Sequence, residues 1–243
     1  MIYIILPAYN ENKNLKKIFK KINSLKIVKK IKVILVDDCS IDNTHQLIKY
    51  KKKFKFSYFR NEKNKGLSLT LKKGFKSLPH KLSSKDLIVT LDSDNTHPIE
   101  IIPKMIKLMK HDNSDIVIAS RFLNKSMVKG LSFFRILLSY FAKMILSFLF
   151  PYKNLKEYTC NFRIYKPYLI KKIIEEKKLF DNEDFSIAVK IILFLIKKYK
   201  NLVISEYPLT LNYHYKIGES KMKIFKNIYL TLKLIIKKKL NYF

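Results

Sequence analysis

The chain reads as an α/β protein, a mostly parallel sheet with helices on its faces. Three observations predict this. Short apolar, β-branched runs alternate with helix-period segments through the first 120 residues. The runs are followed by loops rich in acids and amides, placed where such sheets keep their ligands, beyond the carboxyl ends of strands. No internal repeat and no Gly/Ser-rich linker divides the chain, which has only 4 glycines.

In order, "IYIIL" (2–6), "KVILV" (32–36), "FSYF" (56–59), "LIVTL" (87–91) and "DIVIAS" (115–120) are the expected strands. Between the first two, Leu15, Ile18, Phe19 and Ile22 fall at helical spacing with lysines on the other face. Pro98 suits the first turn of a further helix over 98–110. This succession is the βαβ pattern of a parallel sheet covered on both sides. At 243 residues and 48% hydrophobic content, the chain suffices for one large domain and excludes disorder as its main state.

The formal charge is +31, and 46 of the 50 basic residues are lysine. Such a chain attracts polyanions. The basic residues are nevertheless scattered and accompany no RRM, KH or helix-turn-helix pattern, so a nucleic-acid partner is not expected. Cys39 and Cys160 make neither a metal-ligand spacing nor a disulfide ladder, as expected of a reducing compartment. "MIYIILPAYNEN" lacks the basic n-region of a signal peptide.

"LPAYNEN" after the first strand, "VDDCSIDNT" after the second and "LDSDNTHP" after the fourth carry the chemistry. Any one of them is explained by turn and cap residues. If their strands are neighbours, Asp37, Asp38, Asp92 and Asp94 converge in one crevice. Two carboxylates as close as Asp92 and Asp94 repel unless solvated or joined by a cation, so the pair is either a turn or half of a metal site.

The succession "PAYNEN", "VDDCSIDNT", "RNEKNKGLSLTLKKGF", "DSDNTHP" and "ASRF" resembles family 2 glycosyltransferases, which have the GT-A fold. "EYTCNFRIY" and "GESKM" extend the likeness to the dolichol-phosphate mannosyltransferase branch, whose members glycosylate polyprenyl phosphates. The resemblance implies a catalytic domain over 1–215 that takes a nucleotide-sugar donor, GDP-mannose or a UDP-sugar. Pro7, Tyr9, Glu11, Asp37, Asp38, Lys65, Ser93, Asn95, Lys216 and Lys221 would line the donor. Asp92 and Asp94 would hold Mg²⁺ or Mn²⁺ against its diphosphate, where a hard cation offsets charge on the departing group. The chain departs from the family pattern at Glu157 and Asn161, where aspartate and glycine are common, and at Lys190, where an acid is expected.

A phosphate monoester carries about 1.5 to 2 negative charges near neutral pH and needs no general base, so cations should surround the acceptor. Arginine serves where a forked, bidentate grip on phosphate matters. Of the four arginines, Arg60 falls near the donor side, and Arg121, Arg135 and Arg163 fall in segments the resemblance assigns to the acceptor. Arg121 and Arg135, with Ser139, are the expected phosphate binders, and Arg121 and Arg135 join Asp92 and Asp94 as the expected catalytic set. A saccharide hydroxyl as acceptor would instead need a carboxylate base, for which Glu183 and Asp184 are available.

The segment 133–150 is 18 residues long, carries Arg135 and Lys143 and ends at Pro151, too short and too polar to span a bilayer comfortably. Arg135, Ser139 and Lys143 recur every four residues as one polar stripe on an apolar helix. An interfacial helix at an anionic membrane surface is expected, the alternative being a core helix packed on the sheet. A basic amphipathic segment, 216–243, ends the sequence without a hydrophobic hairpin, so the expected location is cytoplasmic and peripheral to the membrane.

Overall fold

The structure is a computed structural model that describes residues 1–180 and 186–217. Its centre is a seven-stranded sheet of order β3-β2-β1-β4-β7-β5-β8. The strands are β1 (Ile2–Ala8), β2 (Ile31–Asp37), β3 (Lys55–Arg60), β4 (Leu87–Thr90), β5 (Ile116–Ser120), β7 (Arg163–Tyr165) and β8 (Ile204–Pro208). A short parallel pair, β6 (Met127–Lys129) with β9 (Thr210–Asn212), stands apart from it. All main-sheet pairings are parallel except those of β7, which is antiparallel to both β4 and β5.

Alternation along each strand serves two cores. Ile2, Ile4 and Leu6 of β1, with Val33 and Leu35 of β2, face one side, where α1 (Asn12–Ser24) and α3 (Ile102–His111) pack. Tyr3, Ile5, Ile34 and Val36 face the other, covered by α2 (Gly66–Lys76), α5 (Pro167–Glu175) and α6 (Ile187–Lys198). Both faces are buried, so the strands read as unbroken apolar runs. Leu15, Ile18, Phe19 and Ile22 of α1 are fully buried, each worth roughly 1.5–3 kcal/mol of transfer free energy. At Gly74 of α2 a Cβ would lie 2.4 Å from the Ile5 side chain, so glycine is what lets the helix sit this close to β1.

The five expected strands form, each within two residues of its expected ends. The helix expected over 98–110 starts later. Pro98 is extended, a 3₁₀ turn spans Ile99–Ile101, and the α-helix opens at Ile102. The helix expected over 133–150 forms as α4 (Phe133–Leu149) and is not a core helix: Leu146 is its one buried residue. No helix among the described residues is long and apolar enough to cross a membrane. Within the C-terminal segment 216–243, all residues beyond 217 lie outside the described residues.

Candidate functional site

Strand order β2-β1-β4 brings the three motif loops to one sheet edge. Two of them are stitched by amides. Asn10, in the left-handed region at φ 53°, donates its backbone N–H to Ser40 Oγ and accepts from Ile41 N–H through Oδ1, each at 2.8 Å. Asn12 donates its backbone N–H to Asp42 and its Nδ2 to the Asn43 carbonyl. Pro7 lies past the last β1–β4 pair, and its carbonyl accepts from Ser93 Oγ at 2.8 Å, which ties the acidic turn to β1.

Asp37 is wholly buried and accepts from the Tyr58 hydroxyl at 2.5 Å and from Ser40 N–H at 2.8 Å, with Arg60 Nη1 at 3.9 Å. Burial and then the bond to Asp37 push the Tyr58 phenol well above its ordinary range. Asp38 accepts from Asn61 Nδ2 at 2.7 Å and from the backbone N–H groups of Lys65 and Gly66 at 2.8 and 2.9 Å. It thus caps α2 from a distant loop, supplying the negative charge a helix N-terminus favours. Lys65 contributes its backbone here. In the loop after β1, Tyr9 is half-buried, and Glu11 is buried with Oε2 accepting from Asn14.

The acidic turn follows β4. Thr96 donates its N–H and hydroxyl to Asp94 Oδ1 at 3.1 and 2.7 Å, and Lys216 Nζ reaches Asp94 Oδ2 at 3.0 Å. Asn161 Nδ2 lies 3.3 Å from Asp92 Oδ1, and the Asp92 backbone N–H points at His97 Nδ1. Burial, reinforced by Asp94, raises the Asp92 carboxyl, against the pull of His97, Asn161 and Lys216. For Asp94 burial also acts upward, but His97, Lys216 and the Thr96 bonds outweigh it, and its carboxyl falls below the usual range.

A divalent cation fits this turn. The Asp94 carboxylate, beside that of Asp92, already pairs with a lysine ammonium where positive charge is wanted. The amide oxygens Oδ1 of Asn95 and Asn161 are buried without a hydrogen-bond partner among the described residues, and such oxygens suit a hard cation or its water. Among the described residues no cluster of three or more His, Cys, Asp or Glu side chains completes a site, so diphosphate and water oxygens would have to fill the coordination shell.

Across the crevice, Arg121 follows β5. Its Nε and one Nη grip Glu157 in a fork at 2.8 and 3.0 Å, Nη1 donates to Ser139 Oγ at 3.0 Å and Nη2 also donates to Thr159. Glu157 is fully buried. Desolvation opposes its charge, but Arg121 and the Thr159 bonds hold its carboxyl down at about 2. Lys143 of α4 sits 5.7 Å from the Phe122 ring, and Phe122 packs edge-on against Tyr140, so the polar stripe of α4 faces Arg121. Arg135, half-buried on that stripe, makes no hydrogen bond or ion pair with the described residues. The Tyr213 phenol, raised by burial, feels Arg121, Asp94 and Asp92 together, which places it between the two sides.

Arg163 corrects an expectation. It is fully buried on β7, with its two Nη groups on the carbonyls of Ala188 and Tyr158 at 2.8 and 2.7 Å, so it ties the sheet to α6 and offers no phosphate contact. Glu183, Asp184 and Lys221 lie outside the described residues. Lys190 is buried within α6.

The sequence reading named Lys216 but missed Asn14, His97 and the contacts that hold Tyr215 and Ile217 on either side of that lysine. Asn14 Nδ2 and Oδ1 pair with the carbonyl and N–H of Ile217, both at 3.1 Å, and Asn95 Nδ2 donates to the Tyr215 carbonyl. The only signal for Asn14 was an amide at the polar margin of an otherwise lysine-rich helix face.

Comparison with known proteins bears on the family and the fold. The family profile described as Glycosyl transferase family 2 matches residues 3–174. The chain is 32% identical over 224 residues to a dolichol-phosphate mannosyltransferase of Pyrococcus furiosus, covering 91% of this chain and 59% of that protein, so it spans about three fifths of that relative's length. It is 30% identical over 145 residues to a UDP-N-acetylglucosamine–dolichyl-phosphate N-acetylglucosaminyltransferase of Methanococcus voltae, covering 54% of this chain and 56% of that one. In structure it resembles the glucosyl-3-phosphoglycerate synthase of Mycobacterium tuberculosis in complex with Mn²⁺ and UDP, with TM-score 0.65 at 15% identity over 99% of this chain and 78% of that one. S. aureus TarS in complex with UDP-GlcNAc gives TM-score 0.63 at 19% identity, over 99% and 66%. The chain belongs to glycosyl transferase family 2.

Proposed function

We propose that the protein transfers a hexose, mannose or glucose, with inversion, from a GDP- or UDP-sugar to a polyprenyl phosphate at the cytoplasmic face of a membrane. The observation that carries this reading is one juxtaposition: an acidic turn paired with a lysine faces an arginine–serine–arginine set borne partly on an exposed apolar helix. Pro7, Tyr9, Glu11, Asp37, Asp38, Lys65, Ser93 and Asn95 form the donor side. Asp92 and Asp94 would hold Mg²⁺ or Mn²⁺, which would supply positive charge against the departing diphosphate.

The acceptor phosphate is held by Arg121, Ser139 and Arg135. Four of Arg121's five N–H groups are spent on Glu157, Ser139 and Thr159, which fixes the plane of the guanidinium. Ser139 Oγ accepts from Arg121 and keeps its own proton to donate. Arg135 supplies a second fork. A phosphate oxygen attacks the anomeric carbon opposite the diphosphate, and the bonding pair of the broken C–O bond leaves with the nucleotide. The protein orients two anions in line and screens their charge.

Phe133, Phe141 and Phe148 of α4 are 80%, 59% and 82% exposed, an apolar face suited to the acyl boundary of a bilayer. The high lysine content adds attraction to anionic lipid, about 1 kcal/mol for each basic residue near the surface. To test the reading, the purified protein is offered radiolabelled GDP- and UDP-sugars with a short polyprenyl phosphate. Label entering an organic-extractable product supports it. Label that reaches only saccharide acceptors overturns it in favour of a hydroxyl-directed transferase.

A further inference from the structure

The chain carries its own substitute for the metal. Lys216 Nζ lies 3.0 Å from Asp94 Oδ2, and both side chains are largely shielded, 13% and 17% exposed. The backbone on either side is tied down. Asn14 grips both the N–H and the carbonyl of Ile217, and Asn95 holds the carbonyl of Tyr215. Lys21 of α1 sits 5.3 Å over the Tyr215 ring. The strap 213–217 follows directly from β9, so its start is fixed as well. An ammonium held this way neutralises one of two crowded carboxylates, and it also takes a coordination position on Asp94.

We propose that Lys216 is an exchangeable counter-ion: it occupies the cation's place on Asp94 in the empty protein and passes to the donor diphosphate when a metal–nucleotide enters. This rests on the reading of Asp92 and Asp94 as the divalent-cation site. The logic is charge balance. With metal bound, Asp94 no longer needs the ammonium, while the incoming diphosphate brings the negative charge that does. Lysine suits the exchange because its flexible stem presents three donors around a point charge and can change partner without the strap letting go. Metal alone must therefore compete with Lys216, whereas metal together with nucleotide gives it a new partner. The two ligands should help each other by the same factor in both directions.

The test measures Mn²⁺ binding by the loss of the free-ion EPR signal, first with Mn²⁺ alone and then with UDP or GDP added. Lys216→Met should bind Mn²⁺ alone about 10-fold more tightly than wild type, since tenfold is about 1.4 kcal/mol, the scale of one partly shielded ion pair. The same variant should bind the nucleotide at saturating Mn²⁺ about 10-fold more weakly. Asn14→Ala keeps the charge and undoes the tether, and should tighten Mn²⁺ alone by about threefold, the scale of a lost hydrogen bond. If Lys216→Met tightens Mn²⁺ but Asn14→Ala does not, a general field effect replaces the exchange and the proposal is overturned. Unchanged or weaker Mn²⁺ binding in Lys216→Met, with Asp94→Asn still impaired, overturns the exchange and leaves the metal reading standing. Equal Mn²⁺ affinity in wild type and Asp94→Asn overturns the metal reading itself.

Discussion

The two sides of the crevice are built on opposite plans. On the donor side the carboxylates are already engaged. Asp37 and Asp38 are buried, fully or nearly so, and bonded to Tyr58, Asn61 and three backbone N–H groups, and neighbouring loops are laced by Asn10 and Asn12. On the proposed acceptor side one arginine is clamped, another has no partner among the described residues, and the supporting helix buries a single residue. The first side is preorganised, as the proposed binding of a rigid, polar nucleotide would require. On the proposed reading the second would be completed by an anion in front and an apolar medium beneath. Preorganisation lowers the cost of binding where the ligand is always the same shape. An exposed apolar face is tolerated only where a partner covers it.

The contrast is broken most severely at the acidic turn. Asp94→Ala removes an oxygen ligand from the cation, and turnover should fall by about a thousandfold, the scale of losing a charge-stabilising group. Far-ultraviolet circular dichroism should stay unchanged. Near-normal turnover without added divalent cation would show that the turn is only a turn.

Glu157→Gln tests the clamp. It leaves Arg121 buried without its counter-charge, and stability should fall by about 3–5 kcal/mol in urea titration. The pH dependence has a definite sign. Glu157 is depressed in the folded state to about 2, so its contribution is complete above the ordinary carboxylate range and is lost as pH falls through that range toward 2. Wild type should lose stability over this acid interval, and the variant should lose less of it. Identical acid limbs would mean that another carboxylate governs acid unfolding.

Arg135→Lys keeps the charge and removes the fork. The apparent affinity for polyprenyl phosphate should weaken by about tenfold while donor affinity holds. The reverse pattern would move Arg135 to the donor side. Smallest of the four, replacing Phe141 by serine should weaken binding to anionic vesicles severalfold in high salt, where electrostatic attraction is screened within about 8 Å or less. Complete release of the unmodified protein by salt alone would leave α4 no role in lipid.

The donor side was the more legible from sequence. An unbroken apolar run ending in acids announces both a buried strand and its loop, and β1, β2 and β4 with Asp37, Asp38, Asp92 and Asp94 were found in this way. Lys216 was legible in the strap but its tether was not, because Asn14 and Ile217 stand 203 residues apart and neither has a local pattern. Strand β7 was missed because three residues are too few to show alternation. Arg163 shows why scarcity is an incomplete guide. In this lysine-rich chain an arginine did mark a forked grip, but on two buried carbonyls and not on phosphate.

Strand β7 bears also on how the molecule is assembled. β4 and β5 are not neighbours, and the gap between them is filled only when Arg163–Tyr165 arrives from beyond α4 to pair with both. The two halves of the sheet are therefore joined late in the chain's own order, by its shortest main-sheet segment. A junction of such long sequence separation is slow to form, because the loop entropy is lost before the contacts are gained. Strands β1, β2 and β3, whose partners are nearest in sequence, can gather first, while β4 joins β1 across a span as long as its own to β7. The face that carries Arg121 and α4, on the excursion between β5 and β7, takes shape when the sheet closes.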